Sequence, residues 1–182
     1  MIFSFFTYAL IIINVVVFIL IKTNKLDADD LGLSYHNVYN RKQYYRLITS
    51  SFTHVEILHI LMNMFSLYNI GPLVELYFGH FYFLLIYFGS MIFGHLLSIN
   101  IRHNNRDDYT MSIGASGAIY GIIGSYLLLI VRFYGFDGLT EMIRPIISMV
   151  VMSILPGIDG KSHFSCMAVG MAITYLLIII GI

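Results

Sequence analysis

Charge is scarce in this 182-residue chain: Asp, Glu, Lys and Arg make up 11% of it, against 58% hydrophobic residues and a mean hydropathy of +0.81. Soluble domains carry about a quarter charged residues, so a membrane protein is the expected class. Ten basic and ten acidic residues cancel, and no long basic run occurs, so nothing points to a nucleic-acid partner. The single cysteine, Cys166, excludes an internal disulfide and carries no information on redox compartment. The seven histidines include no His-Glu-x-x-His helix. His54 and His59 are five positions apart, about 140° around a helix, and would not share a face. His36, His80, His95 and His103 are scattered among different segments, so no metal is expected.

What the chain does have is apolar residues in blocks, at 3–21, 55–78, 81–101, 116–133, 141–155 and 164–182. About 20 apolar residues cross the hydrocarbon as a helix, and the six blocks predict six spans, the fifth short and starting on Glu141. The ten-residue alternation of a membrane barrel is missing. Backbone groups in lipid must be satisfied within their own segment, which leaves helices. The first block has neither a basic start nor a clear small-residue cleavage site, so it is expected to stay as the first span. No inverted repeat is apparent, and no charged path crosses the middle of the spans, which argues against a transporter or channel. The fold class is therefore all-α: one domain over 1–182, a polytopic membrane bundle of six transmembrane helices.

The first connection, about 22–53, is the longest. It mixes charges with Leu31, Leu33, Tyr35, Val38, Tyr39, Tyr44, Tyr45 and Leu47, a composition that suits either the headgroup level or an ordinary folded surface loop. Gly71-Pro72 is a candidate end or kink for the second span, and Gly79-His80 is a second break signal. Segment 102–109 is wholly polar, and 135–138 and 156–161 supply the last turns. Counting Lys and Arg gives five, two and one in the odd-numbered loops, against two in the fourth and none in the second. Taken alone, that places the odd-numbered loops in the cytoplasm.

With six spans, the second, fourth and sixth begin on one side of the membrane, whichever side that is. His59 and Asn63 then lie early in the second span, Ser116 at the top of the fourth and His163 at the top of the sixth. Polar groups far apart in sequence thus meet at one depth. His59 and Asn63, four residues apart, share a helix face, and such residues in a membrane face the bundle or a water-filled cavity. They read either as catalytic groups or as hydrogen-bonding glue between helices.

A lone serine in a helix is ordinarily structural, but Ser116 follows Gly114 and precedes Gly117 at a helix start. There small residues permit close approach, and unpaired N–H groups favour developing negative charge. A serine nucleophile needs a base, and histidine has the proton affinity for it near neutral pH; His163 is the candidate by depth. Small-residue stripes at Gly117, Gly121 and Ser125, and at Ser162, Cys166, Gly170 and Thr174, allow the two helices to pack closely. No carboxylate holds an obvious third position, and Asp159 reads as a solvated turn residue. A Ser-His dyad fits better than a triad.

Tyr45-Arg46-Leu47, Ser51-Phe52-Thr53-His54, His59-Ile60-Leu61-Met62-Asn63, Glu75-x-x-x-Gly79, Gly114-Ala115-Ser116-Gly117-Ala118-x-Tyr120-Gly121 and Ser162-His163 to Gly170 occur in one order. In that combination the chain resembles the rhomboid family of intramembrane serine proteases, with the catalytic core at about 44–182. The resemblance implies a rhomboid-like six-helix bundle whose cavity opens to the extracytoplasmic side of the cell membrane. It implies Ser116 as nucleophile and His163 as base and then acid. The Ser116 backbone N–H, His59 and Asn63 would form the oxyanion pocket, and Tyr120 would pack beside His163. Arg46 and Glu75 would be structural, holding the first loop and the region between the second and third spans. Gly114 and Gly117 would allow the turn and packing at the nucleophile. The implied orientation, amino terminus inside, opposes the charge count and is preferred, because a long charged loop reports topology poorly.

One position departs from the family pattern: Cys166 stands where a glycine is common on the last helix, adding bulk toward the fourth span at a cost of about 1 to 3 kcal/mol if it overpacks. The dyad distance is what this tests. The expected function is an endopeptidase acting on transmembrane protein substrates, with membrane lipid around it and no cofactor. The fifth span, 141–155, is the expected side of a lateral entrance. The alternative is a non-catalytic rhomboid-like protein that binds membrane helices. Exposed apolar faces are what lipid demands, so they carry no information on oligomeric state.

Overall fold

The computed structural model describes residues 4–141 and 159–182. Its described part is all-helical: α1 Phe5–Lys22, the single turn α2 Arg46–Thr49, α3 Ile57–Asn104, α4 Ser116–Tyr134, the short α5 Asp137–Glu141 and α6 Gly160–Ile179. On α1, Thr7, Leu10 and Asn14 point inward at helical spacing. Ile12, Ile13, Val16 and Ile19 face outward, as suits a peripheral helix in lipid. This is a multi-pass integral membrane protein, built as a polytopic helix bundle.

Among the described residues four helices, α1, α3, α4 and α6, are long and apolar enough to cross a membrane, against the six expected. Two observations bear on this count. The second and third apolar blocks are one helical segment of 48 residues, about 72 Å if straight, more than twice the hydrocarbon thickness. Gly79 interrupts it with φ 75° and ψ 170°, a backbone region that favours glycine. A Cβ there would touch nothing within 4 Å, so conformation rather than space calls for the glycine. Gly79 thus divides α3 into a first arm, 57–78, and a second arm, 80–104. Pro72 stays inside the helix, and the break falls at the other signal, Gly79-His80. The fifth block, with the lateral entrance expected there, lies outside the described residues apart from Glu141, which ends α5.

The core sits where α3, α4 and α6 pack against one another. Met64, Leu67, Phe83, Tyr87, Met91, Ala118, Ile122 and Leu177 are buried there together. The α4 and α6 stripes do meet: a Cβ on Gly170 would occupy the backbone of Gly121, and one on Gly124 would lie 2.6 Å from the Met167 carbonyl oxygen. Thr174 Oγ1 donates to Ser125 Oγ at 2.8 Å. No larger residue fits at Gly170, so the two backbones approach as membrane helices with small-residue seams do.

Glu75 is fully buried. It accepts from the Phe6 and Thr7 N–H groups at 2.9 and 2.8 Å, from Thr7 Oγ1 at 2.6 Å, and pairs with His80 Nδ1 at 2.6 Å. It therefore ties the start of α1 to the Gly79 break. The first loop is folded, with Leu33, Val38, Leu47 and Ile99 in a core of their own. Arg46, 3% exposed, donates to the Asp29 and Gly32 carbonyls at 2.7 and 2.9 Å and to Gln43 Oε1 at 2.7 Å. Tyr44, Tyr45 and Ile48 remain on the outside.

Candidate active site

Ser116 is the first residue of α4 and His163 lies in the first turn of α6. Ser116 Oγ and His163 Nε2 are 2.7 Å apart, a hydrogen bond across 47 residues of sequence. The Tyr120 ring stacks on the His163 ring, with centroids 4.1 Å apart and planes within 13°, so the imidazole is held flat. The first bond of α4 runs from the Ile119 N–H to the Ala115 carbonyl, which puts the Ser116 and Gly117 N–H groups before the first helical donor.

Gly114 has φ +108°, and a Cβ on it would lie 2.5 and 2.6 Å from His59 Cε1 and Nε2 and 3.5 Å from Asn63 Nδ2. Both the backbone conformation and the crowding require glycine there. The same numbers place the His59 ring and the Asn63 amide against the turn that carries Ser116. Gly117 is equally confined, with His95 Nε2 at 2.9 Å from its would-be Cβ and Cys166 Sγ and Ser162 Oγ at 3.2 Å. Every residue expected at the site from sequence parity is thus within one corner of the bundle. Arg46 and Glu75 lie apart from it, Arg46 within the first loop and Glu75 between the start of α1 and the Gly79 break.

The structure adds residues to this corner that sequence reasoning missed. His54 is fully buried, and its Nε2 lies 2.9 Å from Asn63 Nδ2 and 3.2 Å from the Ala115 N–H. The helical angle between His54 and His59 does not apply, because α3 starts only at Ile57; the two rings stand edge to face with centroids 5.0 Å apart. Burial, and then the neighbouring His59, push the His54 pKa down to about 4, against an opposing pull from the Phe52 carbonyl. The Thr53-His54 motif was the available signal.

Asp159 is not the solvated turn residue expected from the sequence: its side chain is 17% exposed and pairs with Arg102 Nη2 at 2.5 Å. It accepts from Ser112 Oγ at 2.5 Å and from the Ser162 N–H at 3.0 Å, capping α6. Burial would raise its pKa, but Arg102 and the Ser112 and Ser162 donors outweigh burial and hold it below the usual carboxylate range. Ser112 in turn exchanges backbone hydrogen bonds with Leu33. The loop before Ser116, the helix bearing His163 and the first loop are therefore tied at one carboxylate. A cavity of about 10 Å³, at the lower limit of room for one water, opens beside Ser116 among Ser50, His95, Ser112, Asp159 and Ser162.

A family model for the rhomboid domain matches residues 41–180. The chain belongs to the rhomboid family. It is 30% identical over 155 residues to RHOMBOID-like protein 4 of Arabidopsis thaliana, covering 81% of this chain and 38% of that one. To Rhomboid-like protease 3 of Toxoplasma gondii it is 36% identical over 94 residues, 52% of this chain and 34% of that protein. To Putative rhomboid protease YdcA of Bacillus subtilis (strain 168) it is 30% identical over 140 residues, 75% and 68% of the two chains. The chain thus spans between about a third and two thirds of the length of these relatives.

In this rhomboid the bulk of Cys166 is met by a glycine elsewhere. Cys166 is fully buried, and a Cβ on Gly94, in the second arm of α3, would lie 2.5 Å from both its Cα and its Sγ. The sequence placed this crowding between the fourth and sixth spans. It falls instead mainly on the second arm of α3, where Gly94 leaves room, and the Ser116 to His163 distance stays at 2.7 Å.

Proposed function

We propose that the protein is an intramembrane serine endopeptidase cleaving transmembrane protein substrates near the extracytoplasmic face of the cell membrane. The observation that carries this reading is the 2.7 Å contact of Ser116 Oγ with His163 Nε2 at a helix N-terminus beside Gly114, His59 and Asn63. His163 takes the Ser116 proton as Oγ attacks the scissile carbonyl, then gives it to the leaving amine; water hydrolyses the acyl-enzyme by the reverse relay. The Ser116 N–H, His59 and Asn63 donate to the oxyanion, each such donor being worth about 3 kcal/mol in the transition state. Tyr120 holds the His163 ring, Gly114 and Gly117 leave room around the nucleophile, and Arg46 and Glu75 hold the first loop and the α1 to α3 contact.

The full bundle in this reading has six spans in one domain, the amino terminus cytoplasmic and the site facing outward. α3 counts as two spans at Gly79, and the sixth comes from the fifth apolar block. The site lies where polar loops meet helix starts, which is where water reaches an acyl-enzyme inside a membrane. The rival reading, binding of membrane helices without cleavage, drew on crowding at Cys166, and Gly94 relieves that crowding. The test is cleavage of a reconstituted transmembrane substrate. Wild type is expected to give product and Ser116→Ala none; equal product from both removes Ser116 as nucleophile.

A further inference from the structure

We propose that His54 is a positioning residue for the oxyanion pocket, its Nε2 lone pair fixing which end of the Asn63 amide faces the reacting carbonyl. The inference rests on the proposed role of Asn63 as a donor, and deepens it.

A backbone N–H only donates, so the Ala115 N–H at 3.2 Å requires a lone pair on His54 Nε2. The ring is then neutral, with its hydrogen on Nδ1. A lone pair at Nε2 in turn decides the Asn63 amide, whose oxygen and nitrogen differ only in their partners. The atom 2.9 Å from Nε2 has to be the NH₂ nitrogen, because a carbonyl oxygen there would meet the lone pair head on. Burial of His54, at 0% exposure, and its depressed pKa agree with a neutral ring.

The consequence reaches the site. The Asn63 NH₂ group has two hydrogens, and His54 takes one. The nitrogen also lies 3.5 Å from the would-be Cβ of Gly114, so the other hydrogen is available on the side of the turn that carries Ser116. Were the amide reversed, that side would present an acceptor to a developing negative charge, which is worse than presenting nothing. His54 also takes up the Ala115 N–H, leaving the next one, that of Ser116, as the first backbone donor of α4. One buried nitrogen therefore sets the direction of two neighbouring dipoles, the preorganisation on which oxyanion stabilisation depends.

The test labels Ser116 with a fluorophosphonate in detergent-solubilised full-length protein. Oγ attacks phosphorus, fluoride leaves, the proton passes to His163, and the phosphoryl oxygen occupies the oxyanion pocket. Asn63→Ala is expected to slow labelling by about 100-fold. His54→Leu is expected to slow it by a similar factor, and the double variant no further, because both remove the same donor. His54→Gln, whose Oε1 reaches the place of Nε2, is expected to keep most of the rate, whereas His54→Asn, too short, is not. With a cleavable substrate, His54→Leu should lower kcat and leave KM unchanged.

Nitrogen-15 NMR of the wild-type ring needs no variant to fold, and should report Nδ1 protonated and Nε2 bare. A protonated Nε2 overturns the inference, as does a double variant slowed by the product of the two single factors. Normal labelling of His54→Leu beside slow labelling of Asn63→Ala overturns it alone. Normal labelling of Asn63→Ala removes the donor reading beneath it.

Discussion

Gly94→Ala is the substitution through which the packing of this rhomboid most directly reaches its chemistry. The new Cβ would stand 2.5 Å from Cys166 Cα and Sγ and 2.8 Å from its N. Ordinary contact begins at 3.4 Å, so α6 and the second arm of α3 must separate by about 0.9 Å. Two of the three close atoms are backbone, so trimming the side chain with Cys166→Gly relieves only part of the strain. Overpacking of this kind costs about 1 to 3 kcal/mol, while alanine in place of glycine returns about 1 kcal/mol of helix propensity. The net change in stability is therefore small, about 0 to 2 kcal/mol.

Activity is expected to respond far more than stability. His163 lies one turn before Cys166 on α6, and a shift of that size would stretch the 2.7 Å hydrogen bond to Ser116 beyond hydrogen-bond range. A misplacement near 1 Å lowers rates by about 100-fold. The assay compares substrate cleavage with thermal unfolding in the same detergent. The expected result is a rate loss near 100-fold with a modest change in midpoint, only partly restored in Gly94→Ala/Cys166→Gly. Full activity of Gly94→Ala would refute the claim that this contact sets the dyad distance.

Two further predictions concern charge. His54 titrates near pH 6.5 in the unfolded chain and about 4 in the folded one, so below pH 6.5 the unfolded state binds the extra proton. Stability should fall as pH drops from 6.5 toward 4, by at most about 3 kcal/mol, and unfolding midpoints at pH 7 and 4.5 should show a drop that His54→Gln lessens; an unchanged His54→Gln profile would assign the drop to other groups. Asp159 has the opposite kind of partner. Its folded pKa is lowered, so its contribution holds above the ordinary carboxylate pKa and is lost as pH falls through the lower folded value. Asp159→Asn leaves Arg102, 6% exposed in its side chain, without its anion and should cost about 2 to 4 kcal/mol; Arg102→Met added to it should recover part of that, and no recovery would mean the two do not act as a pair.

The helical class and the meeting of Ser116, His163, His59 and Asn63 were legible in the sequence because they follow from block length and parity. Both are properties of a chain crossing a slab, and neither needs side-chain detail. The break between the second and third spans was signalled twice, at Gly71-Pro72 and at Gly79-His80. Only φ could choose between them, since proline is tolerated within a membrane helix while a left-handed residue ends it. His54 escaped because a helical angle was applied to a residue that lies before the helix.

Asp159 escaped because a turn carboxylate looks solvated until its cation is known, and Arg102 is 57 positions away in sequence. Cys166 shows the same limit from the packing side. Its bulk was visible, but the glycine that receives it belongs to a third helix, and no periodicity within one segment reports on which neighbour it faces.

The proposed cleavage of a peptide bond within a membrane by Ser116, paired with His163, is put to the test by reconstituting wild type and Ser116→Ala side by side with one transmembrane substrate in liposomes and identifying both fragments by mass. Wild type is expected to give two complementary fragments, their junction near the extracytoplasmic end of the substrate helix, and Ser116→Ala intact substrate alone. The same fragments at the same rate from Ser116→Ala would overturn the assignment of the nucleophile.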